Sequence, residues 1–323
     1  MLRDIGWTSF PFDINIHAYA VCILLGIVAA TIIANGRLKR RGAEPGVILD
    51  IALFAVLGGI VGSRLYHVAT HPGDYFFVEG RGPLDTLIEI VAVWNGGVAI
   101  FGALIGGAFG VWLACRFTGL RFWSALDAIA PVMLIAQAFG RLGNYINQEL
   151  FGLPTDLPWG LEVDPGNAAI PSGLPEDTLF HPTFLYEIVW MLVGFALILL
   201  IERKVTLQWG KVLALYLIWY GLGRSWFESI RLDPSELFLG VRTNVWAAVI
   251  AVIFGIVLFI VQSRRHPGLE PSPYKPGREW SPEAEVESAD TYSDSDDPDD
   301  SVDGDDAAIE TEKPATSGAS VTR

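Results

Sequence analysis

The sequence predicts an all-α membrane protein that crosses the bilayer about seven times. Half of its 323 residues are hydrophobic (51%) and only 18% are charged, whereas a soluble domain has about 25% charged residues. The mean hydropathy of +0.40 is high for the same reason. The net charge of −14 is unevenly distributed, with −2 in residues 1–265 and −12 in residues 266–323. A nearly neutral, apolar transmembrane domain therefore precedes an acidic tail.

Seven apolar runs have the length of about 20 residues that a helix needs to cross a bilayer. They lie at residues 14–35, 47–69, 90–115, 125–142, 184–201, 212–230 and 245–261. The second, fourth and sixth contain ionisable residues, which makes them less typical as spans and more interesting as parts of a site. The third carries glycines at 102, 106 and 110, a spacing that favours a helix-packing face.

The distribution of Lys and Arg predicts the orientation of these runs. If the N-terminus is outside, the inner loops hold 11 Lys and Arg and the outer segments hold 4. Positive residues concentrate in cytoplasmic loops, so we expect the N-terminus outside and the C-terminus in the cytoplasm. The long outer loop at 144–182 has no Lys or Arg, which agrees with this orientation.

The charge distribution and the cysteines argue against a nucleic-acid-binding protein and against a disulfide-stabilised secreted protein. Residues 266–323 are rich in Asp, Glu, Ser and Pro, a composition that predicts a disordered cytoplasmic segment. Without a basic stripe to neutralise phosphates, nucleic acid is not an expected partner. Cys22 and Cys115 lie inside apolar runs, where they are expected to be buried small side chains and not a disulfide framework.

Ionisable side chains inside the spans mark the candidate site, because they are costly in a bilayer. They are Arg64, Asp127, Arg141, Arg224 and Glu228. At about 1.5 Å per residue, all but Asp127 fall near the outer face, together with Tyr19 and Arg231. We expect Asp127 near the inner face, where the first turn of a helix favours an acid.

Arg224, Glu228 and Arg231 are spaced i, i+4 and i+7 and therefore share one stripe of a helix. Two arginines on this stripe, with Arg141 on another helix, predict a site for an anionic headgroup. Arg suits this role because its planar fork binds phosphate bidentately and stays charged when desolvated. The alternatives are a structural ion pair at Glu228 and snorkelling of a lone Arg64 or Arg231 to lipid headgroups.

The densest polar motif is GRLGNYINQELFG at residues 140–152. Two glycines flank Arg141 where a span ends, and Asn144, Asn147 and Glu149 follow. A helix end with a loop explains the glycines but not the polar series, so the motif favours a headgroup site. His181, before a proline at the next span, could be a base or a cap.

This motif closely resembles the signature of the prolipoprotein diacylglyceryl transferases, a family of bacterial membrane enzymes. Four further segments are similar to that family. They are WNGG at 94–97, DAIAP at 127–131, HPT and LYE at 181–187, and the charges Arg224, Glu228 and Arg231. The resemblance covers about residues 10–262 and leaves out the acidic tail.

The resemblance implies a concrete reaction at the bacterial cytoplasmic membrane. An sn-1,2-diacylglyceryl group passes from phosphatidylglycerol to the lipobox cysteine thiol of a prolipoprotein, a thioether forms, and glycerol 1-phosphate leaves. No cofactor and no metal are implied. The implied catalytic residues are Arg141, Arg224, Tyr19 and Glu149. The implied headgroup-binding residues are Arg141, Asn144, Gly152, Glu228 and Arg231. Further candidates are Asn147, His181 and Arg64.

One position departs from the family pattern. Many members have a histidine, considered as a base for the thiol, where this sequence has Phe101. A phenyl ring cannot accept a proton. A free thiol has a pKa near 8.5, and neighbouring guanidinium groups would lower it. We therefore expect electropositive activation of the thiolate, with Glu149, Tyr19 and His181 as alternative bases.

Two other classes of function stay open from the sequence. An anionic-lipid transporter would fit the intramembrane arginines, but no internal repeat is visible. A polytopic scaffold whose acidic tail recruits a partner would make the tail essential and the arginines dispensable. An assay with phosphatidylglycerol and a lipobox peptide separates the enzyme from both alternatives.

Overall fold

A computed structural model describes residues 4–7 and 14–282, apart from residues 77, 79, 81, 98, 234 and 236. These residues are mostly helical. The long helices are α1 (Ala18–Arg40), α2 (Val47–Thr70), α5 (Ile100–Phe117), α6 (Phe122–Asn147), α7 (Thr183–Lys204), α8 (Lys211–Ile230) and α9 (Thr243–Arg265). The short helices are α3 (Gly73–Phe76) and α4 (Pro83–Val91). Two antiparallel hairpins pair β1 (Asp4–Trp7) with β2 (Ile14–His17) and β3 (Leu237–Phe238) with β4 (Val241–Arg242).

Six of the described helices are long and apolar enough to cross a membrane, namely α1, α2, α5, α6, α7 and α9. This confirms the predicted all-α, polytopic membrane class. The other long helix, α8, includes Lys211, Arg224 and Glu228 within 20 residues. The count of seven spans and the orientation stay predictions. Following that orientation, we call the end of the bundle where α6 and α8 terminate the outer end, and the opposite end the inner end.

The third predicted span is not one continuous helix. Residues 90–115 divide between the end of α4, a 3-10 turn at Val93–Asn95 and α5, which begins at Ile100. Gly96 (φ 87°) and Gly97 (φ 68°) adopt left-handed backbone conformations that favour glycine. Arg64 of α2 donates to the carbonyls of Gly96 (2.6 Å) and Gly97 (3.1 Å). The guanidinium thus satisfies backbone acceptors that the interrupted helix leaves free.

Glycines hold α2 and α5 together, as the spacing in the third run predicted. A Cβ atom on Gly106 would overlap the carbonyl oxygen of Gly58, and one on Gly102 would overlap that of Gly62. A Cβ on Gly110 would meet the carbonyl of Phe54 in the same way. The two backbones therefore touch directly along this seam, the close approach that small residues allow in membrane helices.

We expect Gly106→Ala to destabilise the protein by about 1–3 kcal/mol, the usual cost of overpacking. The added methyl group would force α2 and α5 apart, which thermal unfolding in detergent measures. Gly107→Ala is the matched control, since its Cβ would lie at an ordinary 3.5 Å from the nearest atom across the seam. Equal stability of the two variants would contradict the direct backbone contact between α2 and α5 at Gly106.

Asp127 joins α6 to α8 at the inner end. It is fully buried and accepts hydrogen bonds from the N–H groups of Gly210 (2.8 Å), Val212 (3.0 Å) and Leu213 (3.0 Å). The carboxylate thus satisfies N–H groups at the start of α8 that have no partner within that helix. The sequence predicted Asp127 near the inner face, at the first turn of a helix. In the structure, the helix that Asp127 caps is the neighbouring helix α8 and not its own helix α6.

The chain continues to pack against the inner end after α9. Residues 266–280, which we call the strap, cross the turns that connect the long helices. Arg121 donates to the carbonyls of Ser272 and Tyr274, while the Tyr274 hydroxyl accepts from the N–H of Glu44 (3.0 Å). The predicted disorder of residues 266–323 is therefore wrong for the strap, because Tyr274 and its neighbours find buried partners. Residues 283–323 lie outside the described residues.

A reciprocal tryptophan pair holds α7 against α8. The rings of Trp190 and Trp219 stack at 4.2 Å, and each indole N–H donates to the other residue's carbonyl, at 3.2 and 3.1 Å. Each ring occupies space left by a glycine, since a Cβ on Gly223 would overlap Trp190 and one on Gly194 would overlap Trp219. Both glycines lie four residues after a tryptophan, so the contact has the same form on both helices.

Candidate functional site

Arg141 lies at the outer end of α6 and connects this helix to α7. Its Nε atom is 2.8 Å from Glu187 Oε2, and its Nη1 donates to Asn144 Oδ1 at 3.0 Å. The Glu187 side chain is only 3% exposed and that of Arg141 17%. The ion pair uses one edge of the guanidinium, and the partial exposure leaves part of the group accessible to a ligand.

A hydrogen-bonded series extends from Arg141 into the outer loop. Asn144 donates to Glu149 Oε1 at 2.8 Å, and Asn147 donates to the same oxygen at 3.2 Å. The chain turns back here because Gln148 (φ 53°) and Leu150 (φ 61°) adopt left-handed conformations. Glu149 therefore orients Asn144, which in turn orients Arg141. The structure brings these motif residues together, and their predicted role in headgroup binding stays a prediction.

Glu228 of α8 is the hub of a second group of charges. It is fully buried, with Arg224 Nη2 3.0 Å from Oε2 and Arg231 Nη1 3.8 Å from the same oxygen. Arg242 Nη1 is 3.2 Å from Oε1, and Asn244 donates to Oε1 at 3.0 Å. The predicted i, i+4, i+7 stripe is thus a real cluster.

Sequence reasoning missed Arg242 and Asn244. Arg242 follows the β3–β4 turn and also donates to the carbonyls of Glu228 and Asp233. Neither residue shares a motif or a helical stripe with Glu228, so spacing gave no signal. The one available indication was that Arg242 lies at the outer end of a span. In the sequence it counted only as one of the positive charges of the outer segments.

The two groups form one arginine-rich site. Arg141 lies close enough to Arg224 and Arg231 for their positive charges to repel its own, and it also interacts with Tyr220. Four arginines lie here with three carboxylates that form ion pairs with them, those of Glu187, Glu228 and Asp233. Within the described part of the chain, Arg231 Nη1 is buried and has no hydrogen-bond acceptor. A buried N–H group without a hydrogen-bond acceptor, in a cluster of four arginines, suits an anionic group with several acceptor oxygens.

Gly152 fixes the outer loop against the ends of α7 and α8. Its N–H donates to the carbonyl of His181 (2.9 Å), and the next N–H, of Leu153, donates to the carbonyl of Ile230 (2.9 Å). A Cβ on Gly152 would lie 2.7 Å from His181 Cβ and 3.0 Å from Thr183 Cγ2. No side chain fits, so a role of Gly152 in headgroup binding would act through the backbone of the loop.

Tyr19 also belongs to this region. Its ring packs on Gly143 of α6, where a Cβ would lie 2.6 Å from Tyr19 Cδ2. This contact brings the start of α1 to within two residues of Arg141. Gly143, two residues after Arg141, therefore makes room for the ring of Tyr19. The motif alone did not reveal this reason for a glycine at this position.

Arg64 and His181 have partners outside the charge cluster. Arg64 is 4% exposed and donates to backbone carbonyls, including that of Ile90 (2.9 Å), so the structure gives it a role in holding the α4–α5 segment. His181 Nδ1 lies 3.2 Å from the Tyr186 hydroxyl. Phe101 lies against Tyr66, with ring centroids 6.3 Å apart.

The acids of this region are partners of its arginines. In the described residues no group of three or more His, Cys, Asp or Glu side chains has the geometry to hold a metal ion. Glu187, Glu228 and Asp233 form ion pairs with the arginines, and Glu149 accepts a hydrogen bond from Asn144.

Comparison with known proteins identifies the family. A sequence model described as "Prolipoprotein diacylglyceryl transferase" matches residues 8–261. The chain belongs to the prolipoprotein diacylglyceryl transferase family. It is 62% identical over 285 residues to a phosphatidylglycerol–prolipoprotein diacylglyceryl transferase of Leifsonia xyli subsp. xyli, covering 87% of this chain and 84% of that relative.

More distant members of the family support the same assignment. A Bifidobacterium longum enzyme of the same name is 47% identical over 262 residues, which is 78% of this chain and 81% of the relative. A Streptomyces coelicolor relative, named as transferase 2, is 43% identical over 257 residues, or 80% and 79% of the two chains. The resemblance expected from the 140–152 motif is thereby confirmed, and the residues matched by the family model end within α9.

Proposed function

We propose that this chain transfers the sn-1,2-diacylglyceryl group of phosphatidylglycerol to the lipobox cysteine of a prolipoprotein. The observation that carries the proposal is the cluster of four arginines formed by Arg141 and the residues around Glu228 at the outer end of the bundle. Phosphatidylglycerol is an anionic lipid whose phosphate would lie at this depth in the bilayer. The names of the relatives in the family agree with this substrate pair.

In this proposal Arg141 and Arg224 hold the phosphate, with Arg231 as a further donor. The cysteine sulfur attacks the glyceryl carbon that bears the phosphate ester, a C–S bond forms and the C–O bond breaks. Glycerol 1-phosphate leaves with the bonding electrons, and the two guanidinium groups stabilise the charge on it. Asn144 and Glu149 keep Arg141 in place through the hydrogen-bonded series.

The thiol loses its proton without a histidine in this scheme. Neighbouring guanidinium groups stabilise the thiolate, and Phe101 cannot act as a base. Tyr19 lies on the Arg141 side of the site through its contact with Gly143, where it can orient the sulfur or the lipid. The proton passes to solvent or to the departing phosphate.

We expect that no single histidine is essential. His181 contacts Tyr186, His67 pairs with His71, and His266 stacks on Trp209 at the inner end. Replacing His17, His67, His71, His181 and His266 one at a time should change thioether formation by less than about tenfold, the scale below which general base catalysis is not involved. Loss of transfer in one variant, at normal protein levels, would identify a base and refute this prediction.

The setting proposed for the reaction is the outer leaflet of the bacterial cytoplasmic membrane. The N-terminus and the 144–182 loop would face outward and the strap would face the cytoplasm. A lipobox cysteine reaches the outer leaflet as its signal peptide crosses the membrane. Cysteine-accessibility labelling of the 144–182 loop in intact cells tests this orientation.

The deciding experiment is transfer from phosphatidylglycerol to a lipobox peptide by the purified protein in lipid nanodiscs. The strap is packed against the helices, so a tail-free variant should end after residue 282 and not at Arg265. Transfer by this variant would exclude a scaffold that depends on its acidic tail. Absence of transfer by the folded full-length protein would refute the enzyme.

A further inference from the structure

Two carboxylates join the inner ends of α6 and α8, the helices that carry the site arginines. Asp127 of α6 caps the first turn of α8, as described above. Glu270 of the strap adds a second connection. Its Oε2 accepts from the Ser124 hydroxyl of α6 at 2.5 Å, and its Oε1 accepts from the N–H of Trp209, just before α8, at 3.1 Å.

Glu270 is itself held in place by its surroundings. Its N–H donates to Gln208 Oε1 at 2.5 Å. Further along the strap, the N–H of Arg121 donates to the carbonyl of Pro273 (2.7 Å), and Lys211 Nζ donates to the carbonyl of His266 (2.9 Å). Contacts on both sides of Glu270 therefore fix the strap against the helices, and the Glu270 carboxylate is held in one position.

The N–H group that Glu270 binds belongs to an unusual turn. Trp209 has φ 64°, a left-handed conformation that is uncommon and costly for a residue other than glycine. Such a turn persists only where its surroundings hold it. The Glu270 hydrogen bond, together with the packing of Arg121 over the Trp209 ring (5.4 Å), supplies that constraint directly before α8 begins.

The inner ends set the depth of the arginines. Arg141 lies 14 residues beyond Asp127 on α6, about 21 Å of helix, and Arg224 lies 12 residues beyond Val212 on α8, about 18 Å. The two guanidinium groups can act on one phosphate only if the helices keep this axial register. A slip of one residue would displace one arginine by about 1.5 Å.

We propose that Glu270 is a positioning residue for the transferase reaction: it fixes the axial register of α8 against α6 and thereby aligns Arg224 with Arg141. The proposal rests on the proposed function for its effect on catalysis, but the register itself can be measured without activity. Misplacement of about 1 Å can lower a rate by roughly 10²-fold even when the change is remote.

The experiment compares distances and kinetics in Glu270→Ala, with spin labels on Met133→Cys of α6 and Leu222→Cys of α8. Both label sites are exposed, and both native cysteines are buried. We expect the distance distribution to shift or broaden by about 1.5–3 Å, one to two residues of helix rise. In the unlabelled variant we expect kcat to fall about 10–100-fold.

Glu270→Gln should restore most of both values, because its amide oxygen still accepts from the Trp209 N–H and its amide nitrogen can donate to the Ser124 hydroxyl. Glu279→Ala is the matched control, an exposed carboxylate of the same strap, and should change neither. If Glu270→Ala does not fold, Ser124→Ala removes one arm of the same connection and must shift the distance.

A wild-type distance in Glu270→Ala, or in its substitute Ser124→Ala, would overturn the proposal. An equal change in Glu279→Ala would also overturn it, since the effect would then be a general loosening of the strap. If the wild-type protein shows no transfer at all, the proposed function fails, and the distance measurement still decides whether Glu270 sets the register.

Discussion

Arg141→Ala lowers kcat for diacylglyceryl transfer by about 10²–10³-fold, the usual cost of removing one donor that stabilises charge in a transition state. Arg141 is the only site arginine on α6, and its partial exposure shows that a ligand can reach it. Arg224 and Arg231 contribute to the same site, but Glu228 anchors both of them at the end of α8, so they cannot move to the position that Arg141 occupies beside Glu187. Initial rates with phosphatidylglycerol and a lipobox peptide measure the effect.

Two further variants separate the chemistry of Arg141 from its charge. Arg141→Lys keeps the positive charge near Glu187 but loses the planar fork, so we expect an activity between those of the wild type and Arg141→Ala. Arg203→Ala removes an exposed arginine at the inner end of α7 and should leave the rate unchanged. Wild-type kcat in Arg141→Ala would remove Arg141 from the mechanism.

Glu228→Ala has the largest expected effect on stability. The carboxylate is fully buried between Arg224, Arg231 and Arg242. Its removal takes away the acid that Arg224 and Arg242 share, while Arg231 keeps its ion pair with Asp233 at 2.7 Å. Breaking a buried ion pair in this way costs about 3–5 kcal/mol. We therefore expect a large drop in the unfolding temperature in detergent, together with loss of transfer.

Glu228→Gln tests which part of the hub matters. Its amide oxygen can still accept from Asn244, but it carries no charge to balance the arginines. We expect this variant to fold better than Glu228→Ala and to remain poorly active. Glu176→Ala, at an exposed carboxylate of the outer loop, is the control. A Glu228→Ala protein as stable as this control would contradict the role of Glu228 as the stabilising counter-charge of the arginines.

The sequence predicted the elements that depend on local pattern. Apolar length predicted the spans, and the i, i+4 spacing placed Arg224 beside Glu228, because helical periodicity fixes which side chains are neighbours. Arg231 lies just beyond the end of α8 in extended backbone and still reaches Glu228 at 3.8 Å. The 140–152 motif predicted a headgroup site, and in the structure it forms the series from Arg141 to Glu149. Its members are close in the chain and meet without help from the rest of the fold.

The sequence failed where partners are distant in the chain. Arg242 reaches Glu228 across 14 residues and a hairpin, and Glu270 reaches Ser124 across 146, so no spacing rule links them. Arg64 was expected near the headgroup on its depth alone, but depth does not fix direction, and it turns toward backbone carbonyls. The tail composition concealed the strap because its few anchoring residues are diluted by an acidic sequence.

The tryptophan pair between α7 and α8 has an evolutionary consequence. Each indole occupies the space above a glycine of the opposite helix, so a larger residue at Gly223 is compatible only with a smaller one at Trp190. The same holds for Gly194 and Trp219. Among related sequences we therefore expect these positions to change in pairs, so that a relative lacking one tryptophan has lost the requirement for one particular glycine and not for the other.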